Sequence, residues 1–283
     1  MSNLTYSRRA INNIIKSIDQ VQHNCSINEQ FVKDLNASIE ETDLRNQREP
    51  SRTYKPSGMN CIRACFYTIM GFPINKQIKS ASSCGICESG TDRHIRIQQA
   101  LEDMRNNGYD LDYIDVETYI HQNHLEDKLT IVGKSGMETK LYMPSLNMSF
   151  MTDGIIKYNG EYFIFEFKTE IPNKFYKRTG VDESHIAQGT AYSCAFGINR
   201  VMFLYENRAT CERKAYILNV TNEMQKYRIY DFISNCNSYV KSKTVPQMPM
   251  SEFVLKKCKY CPYQALCAKH GPVEKDISGE IKQ

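Results

Sequence analysis

The chain has 283 residues, 24% charged and 41% hydrophobic, with 36 Lys+Arg against 32 Asp+Glu and a formal net charge of +4. That length allows one large domain or two small ones. The composition excludes a disordered polyelectrolyte, and no stretch approaches the roughly 18 uninterrupted apolar residues of a membrane-spanning helix.

The polar opening MSNLTYSRRAINNIIKS lacks the apolar run and cleavage site of an export signal, so a cytoplasmic protein with no membrane partner is expected. Ile11, Ile14, Ile15, Ile18 and Val21 recur at helical spacing over 8–24. Ser26-Ile27-Asn28-Glu29 reads as a capping box opening a second helix with Phe31, Val32, Leu35 and Ile39. Residues 1–50 are therefore expected to form a helical hairpin. Polar residues 45–57, with Pro50 and Pro56, read as a linker to a single domain over 51–283. That domain opens with helices at 60–70 and 91–106, separated by a loop holding Cys84-Gly85-Ile86-Cys87. Strands follow at 113–116, 129–132, 140–143, 150–158 and 161–169. Next come a helix at 182–197, strands near 201–205 and 214–220, a helix near 222–241, and a cysteine-bearing tail at 256–271. The order predicts an α/β fold, a mixed core with helical additions.

The chemistry concentrates in 151–168, MTDGIIKYNGEYFIFEFK. Asn159-Gly160 between two β-rich runs is a strong signal for a two-residue type I′ hairpin. That turn sets Tyr158 opposite Glu161 and, carried along the strands, Asp153 opposite Glu166. Directly opposed carboxylates repel, and Lys168, two residues beyond Glu166, projects from the same face. The other face, with Ile156, Tyr158, Phe163, Phe165 and Phe167, reads as core. Two readings fit: a cage for a hard divalent cation such as Mg²⁺, or charges on the solvated side of a half-exposed hairpin.

Asp, a short gap and Glu-x-Lys on the next strand resemble the signature of the PD-(D/E)xK nuclease superfamily. Two further segments narrow the resemblance to RecB-like nucleases. Gly90-Thr91-Asp92-Arg93-His94-Ile95-Arg96-Ile97-Gln98 is similar to their histidine-bearing helix, and Gln188-Gly189-Thr190-Ala191-Tyr192 to a later motif near the active site. The motifs stand in the family order and span roughly 54–270. Thr152 replaces the proline usual before the aspartate, and Ile95 the glutamate often found after the histidine; neither removes a proposed ligand. The resemblance implies a restriction-endonuclease-like core in which His94, Asp153, Glu166 and the Phe167 carbonyl hold Mg²⁺ or Mn²⁺. It also implies that Lys168 assists the water nucleophile while Gln188 and Tyr192 position metal, water or DNA.

Eleven cysteines, an odd number without an export signal, suit a reducing compartment, where clustered thiols mean metal more often than disulfides. Cys258, Cys261 and Cys267 can close on one soft metal centre but need a fourth ligand; Zn²⁺ with His270 is one option. The RecB-like nucleases that carry an iron–sulfur cluster, among them CRISPR-associated exonucleases and the AddB subunit, show such a triplet with one distant upstream cysteine. Cys61-Ile62-Arg63-Ala64-Cys65-Phe66-Tyr67 is similar to that element. The resemblance thus implies a [4Fe–4S] cluster on Cys61, Cys258, Cys261 and Cys267, with Zn²⁺ as the alternative. Cys84 and Cys87 fit either a metal pair or plain loop thiols, and Cys25, Cys194, Cys211 and Cys236 read as small packing residues.

Lys174, Tyr176, Lys177 and Arg178 alternate base and aromatic just after the Lys168 strand, as in single-strand tracks; a solvated basic loop has the same look. Arg63, Lys256, Lys257 and Lys259 are weaker phosphate candidates. The resulting expectation is a metal-dependent deoxyribonuclease, an exonuclease on single-stranded DNA or free ends in recombination, replication or phage/CRISPR-related processing, in a bacterial or phage-infected cell. The rival is a non-catalytic iron–sulfur nucleic-acid-binding subunit beside a helicase, recombination or integrase partner. The intact Asp-Glu-Lys set argues against it, and nothing in the sequence reads an RNA 2′-hydroxyl.

Overall fold

The computed structural model describes residues 8–280 apart from 77, 136–137, 252–254 and 256–257. Lys256, Lys257 and the Cys25 side chain therefore lie outside the described residues. The chain divides into two compact units: residues 1–48 with 76–88, and residues 49–75 with 89–283.

In the first unit, α1 (Arg8–Asn46) is one continuous helix, not the expected hairpin. The segment contains neither glycine nor proline, so nothing forces a turn at the Ser26 capping signal. Glu40 of α1 accepts a hydrogen bond from the Ala81 backbone N–H (2.9 Å) at the start of α3 (Ala81–Asn106), and Lys79 pairs with Asp43 (3.0 Å). Both contacts satisfy groups that a helix start leaves unpaired or favour the local charge. The expected loop around Cys84 and Cys87 is thus the opening of a helix; Cys84 is buried and Cys87 exposed.

The second unit is a mixed α/β structure, as expected. After α2 (Ile62–Met70), the strands are β1 (Leu111–Ile114), β2 (Thr130–Ser135), β3 (Glu138–Met143), β4 (Met148–Thr152), β5 (Gly154–Tyr158), β6 (Glu161–Glu170), β7 (Arg200–Asn207) and β8 (Arg213–Asn219). One sheet has the order β1-β5-β6-β7-β8, with only β6 and β7 parallel; a second has the order β2-β3-β4. The short helix α4 (Val116–Gln122) follows β1. The parallel crossover from β6 to β7 runs through α5 (Pro172–Tyr176) and α6 (Glu183–Phe196), as parallel neighbours require. Helix α7 (Asn222–Gln225) continues through a π-turn into α8 (Phe232–Ser242), and α9 (Gln264–His270) lies near the end.

The β5–β6 hairpin has the register set by its turn: Tyr158 pairs Glu161, and Gly154 pairs Phe165. Asn159 and Gly160 both take positive φ (49° and 78°), as a type I′ turn demands. Both faces of β6 are covered, so the hairpin is not half-solvated. Phe163, Phe165 and Phe167 pack with Ile97 and Leu101 of α3, while Ile164 belongs to the larger core with Tyr192, Phe203 and Tyr205. The strand expected over 150–158 is two strands, broken at Asp153. There the chain leaves the β2-β3-β4 sheet and enters the five-stranded one.

Gly154 makes that transfer possible. Its φ is +145°, and a Cβ there would stand 2.5 Å from the Tyr113 ring. Gly154→Ala is expected to cost about 1–3 kcal/mol of stability by chemical denaturation. An unchanged unfolding midpoint would show that the backbone at 154 relaxes freely.

Candidate active site and thiol cavity

The chain switch leaves Asp153 at the mouth of a cleft of about 380 Å³ in the second unit, yet only 3% exposed. An ionised carboxylate so buried must be fully partnered. Its Oδ2 accepts from the Phe167 backbone N–H (2.7 Å), and its Oδ1 meets His94 Nδ1 on α3 (2.9 Å). Its backbone carbonyl accepts from Gln98 Nε2 (2.8 Å) and the Tyr113 hydroxyl (2.7 Å). The N–H and C=O of one strand residue face the same neighbour, so the Phe167 carbonyl opens toward Asp153 as well.

Glu166, also 3% exposed, is held differently. Its Oε1 accepts from Lys168 Nζ (2.5 Å) and Gln188 Nε2 (2.8 Å), while its buried Oε2 has no hydrogen-bond partner. Gln188 also donates to the Tyr192 hydroxyl (2.6 Å), which donates in turn to the Met151 carbonyl. One turn of α6 therefore fixes the Glu166 carboxylate through two side chains that share a helix face. The structure brings His94, Asp153, Glu166, Lys168, Gln188 and Tyr192 into one cleft.

It adds Glu138, which the sequence reading missed. Ligand atoms of His94, Glu138 and Asp153 all lie within 4.8 Å of one another. Glu138 opens β3, in the sheet that the chain leaves at Asp153. No spacing rule links it to the hairpin, and its strand carries no motif, so the sequence held no signal for it. An imidazole and two carboxylates form a donor set suited to Mn²⁺ or Mg²⁺, and the orphaned Glu166 oxygen faces the same need for a cation.

The electrostatics follow from burial and like charge. Burial, resisted by Lys168 and reinforced by Asp153, pushes the Glu166 carboxyl up to about 7. Burial and Asp153 also raise Glu138. For His94, burial opposes the charged form, but hydrogen bonding and attraction from Asp153 win and raise it. Burial likewise works against the Lys168 ammonium, but Glu166 and Asp153 keep it protonated and above its ordinary value.

The proposed nucleic-acid track is only partly free. Arg178, with 6% of its side chain exposed, binds both Glu170 and Asp182 and stacks 3.9 Å from the Tyr205 ring centroid. Lys174 pairs with the same two acids (3.1 and 2.8 Å). Two cations against two carboxylates leave no net charge there, so Lys174 and Arg178 are engaged within the fold. Tyr176 and Lys177 remain exposed, with the Tyr176 hydroxyl on Glu212 (2.7 Å).

Cys61, Cys258, Cys261 and Cys267 line one almost wholly apolar cavity of about 210 Å³. Cys61 caps α2, whose first backbone N–H groups, on Arg63 and Ala64, favour its thiolate, although burial and the neighbouring Cys261 and Cys258 raise the thiol overall. Arg63, 1% exposed, donates to Cys267 Sγ (3.5 Å) and the Gly271 carbonyl (2.6 Å), and its Nε has no partner. His270, the fourth ligand of the zinc option, does not line this cavity. That imidazole meets the Tyr67 hydroxyl at Nδ1 (2.9 Å) and Glu280 at Nε2 (3.4 Å).

No family model and no curated protein matches the chain. Among solved structures it is similar to the crystal structure of SSO0001, at 13% identity over 82% of this chain and 95% of that one, with a TM-score of 0.43. Among the described residues no helix is long and apolar enough to cross a membrane.

The raised groups fix a pH dependence. Between its ordinary value of 4.5 and about 7, folded Glu166 keeps a proton that the unfolded chain has lost, so stability falls as pH rises through 7. The His94 contribution, present below 6.5, is also lost as pH climbs through its raised value. His185, lowered to about 4, and His270, also lowered, act oppositely, but only below 6.5. In EDTA the Tm is therefore expected to drop between pH 6.5 and 8, and Mn²⁺, which binds deprotonated donors, should abolish the drop. A flat EDTA profile would count against the perturbed pair.

Proposed function

We propose that the chain is a divalent-cation-dependent deoxyribonuclease of the RecB-like PD-(D/E)xK type. The observation that carries this reading is the buried Asp153–Glu166 pair with the half-buried Lys168 and His94 in one cleft. Burying two carboxylates side by side costs several kcal/mol each unless something cationic offsets them, and with the half-buried Glu138 beside them Lys168 and His94 supply two positive charges for three acids. Such an arrangement marks a site of chemistry more often than a structural pair.

His94, Glu138 and Asp153, with the Phe167 carbonyl and the open Glu166 oxygen beside them, would hold Mg²⁺ or Mn²⁺. A cation bound there supplies Lewis-acid polarisation of the phosphoryl oxygens and lowers the pKa of a coordinated water. Lys168 stays protonated, so it serves as a fixed positive charge that orients the water and meets the negative charge building on the phosphate. Gln188 and Tyr192 keep the Glu166 carboxylate in place as the water oxygen bonds to phosphorus, the bond to the leaving oxygen breaks, and the proton given up by the water passes through solvent to that leaving oxygen. DNA over RNA, action at ends, and the placement in DNA processing rest on the family resemblance.

The reading includes a [4Fe–4S] cluster on Cys61, Cys258, Cys261 and Cys267. All four cysteines line that one cavity, and four thiolates are the ligand set of such a cluster. Arg63 would neutralise thiolate charge at Cys267 and hold the two ends of the domain together.

The test is incubation of anaerobically purified protein with end-labelled single- and double-stranded DNA in Mg²⁺, Mn²⁺ or EDTA. Cleavage is expected only with a cation, falling at least about 100-fold in Lys168→Ala and in Glu166→Gln. Cation-independent cleavage, or full activity in both variants, would sink the proposal. For the thiol cavity, the protein should carry iron, sulfide and a visible charge-transfer band that Cys258→Ser removes. Zinc without iron in fully loaded protein would select the alternative metal.

A further inference from the structure

Outside the cleft, Glu206 at the end of β7 is fully buried and holds three guanidiniums. Arg93 Nη1 reaches Oε1 at 2.8 Å, Arg96 Nη2 reaches both oxygens at 2.6 and 2.8 Å, and Arg213 Nε reaches Oε2 at 2.9 Å. A single fork-like pair would satisfy one carboxylate, so neutralising Glu206 does not account for three. The three cations against one anion leave an excess of two positive charges. Arg208 adds a third, its guanidinium on Thr169 Oγ1 (3.2 Å) and its carbonyl accepting from Arg93 (2.9 Å). Glu212, adjacent to Arg213 in sequence, is engaged by Tyr176 and Thr210.

The position of this excess matters. Glu206 pairs in register with Thr169, the residue after Lys168, and Arg93 directly precedes His94 on α3. Thr169 and Glu206 project from the face of the sheet that packs on α3, opposite to Glu166 and Lys168, so the arginines gather on the α3 side, at the end of the helix segment where His94 meets Asp153. The side chains of Arg96 and Arg213 are 45% and 43% exposed, so unused N–H donors face solvent while the guanidinium planes are fixed from beneath. Anchoring on Glu206 removes in advance much of the rotamer entropy that a free arginine loses on binding. The clamp at Lys174 and Arg178, by contrast, is internally neutral.

We propose that Arg93, Arg96, Arg208 and Arg213 form a phosphate-binding ledge that holds a nucleic-acid backbone where it passes the cleft. The proposal rests on the nucleic-acid reading above and names the surface that reading lacked. Glu206 acts as a buried anchor that aims the guanidiniums, and it touches no substrate itself.

The test measures binding without turnover, by fluorescence anisotropy of labelled single-stranded and duplex oligonucleotides in EDTA over a range of salt. Arg96→Gln/Arg213→Gln removes two of the three guanidiniums from buried Glu206, so binding is measured below the melting range of each variant, and Arg96→Lys/Arg213→Lys serves as the charge-keeping control. Each lost phosphate contact should flatten the log–log salt slope by about 0.7–0.9, about 1.5 for the pair, and weaken binding about tenfold or more at low salt. Arg96→Lys/Arg213→Lys should restore most of the slope. An unchanged slope in the Gln pair overturns the ledge, and so does equal loss in the Gln and Lys pairs, which would mean that the arginines act through the fold. If the wild type binds with the expected slope but cleaves nothing with Mg²⁺ or Mn²⁺, the ledge stands and the hydrolase reading falls. If it binds neither oligonucleotide, both fall.

Discussion

The burial of the Asp153 carboxylate where the chain passes from one sheet to the other constrains much of the second unit. A charge 3% exposed tolerates few arrangements around it. Here α3 supplies His94 and Gln98, β1 supplies Tyr113, and β6 supplies the Phe167 N–H. The successive elements α3 and β1 and the distant β6 must therefore all be in place before this one residue is satisfied. The same requirement explains a glycine at 154, because the extra atom of any other residue would occupy the space through which Tyr113 reaches the Asp153 carbonyl.

Glu166 shows the opposite economy. Its neighbour Asp153 is matched at every oxygen, whereas Glu166 keeps one buried oxygen without a donor and a carboxyl pushed up to about 7. Groups left unsatisfied in a core lower stability, and folds keep them where chemistry uses them. The two carboxylates line one cleft but differ in state: one serves the architecture as much as the site, and the other is left available.

The turn made the hairpin legible. Asn159-Gly160 admits one tight geometry, and that geometry alone aligned Asp153 with Glu166 and put Lys168 beside them. The pairing of Gln188 with Tyr192 was legible for the same reason, since helical spacing fixes a shared face. What stayed hidden depended on partners from elsewhere. Residues 150–158 alternate as one strand would, and only the two-sheet packing shows the break at Asp153. Glu138 is an acid among others until β3 is laid against β4. The basic run at 174–178 looks free because Glu170 and Asp182, which neutralise it, are unremarkable acids in sequence. The long α1 was obscured by a cap-like tetrapeptide that a helix can also run through.

The contacts of Arg63 bear on how the chain reaches this structure. That side chain, near the start of the second unit, is buried against the Gly271 carbonyl and Cys267 Sγ, about two hundred positions later. Contacts of such separation form late, because the loop-closure entropy precedes their reward. During synthesis at about 5–20 residues per second, the ribosome must deliver the chain through Gly271 before Arg63 meets its acceptors. Until then an arginine destined for the interior stays in water and the thiols it will border remain apart. The stretch 258–271 thus decides when the domain can close, and a ribosome stalled before residue 258 would leave an open, thiol-bearing intermediate.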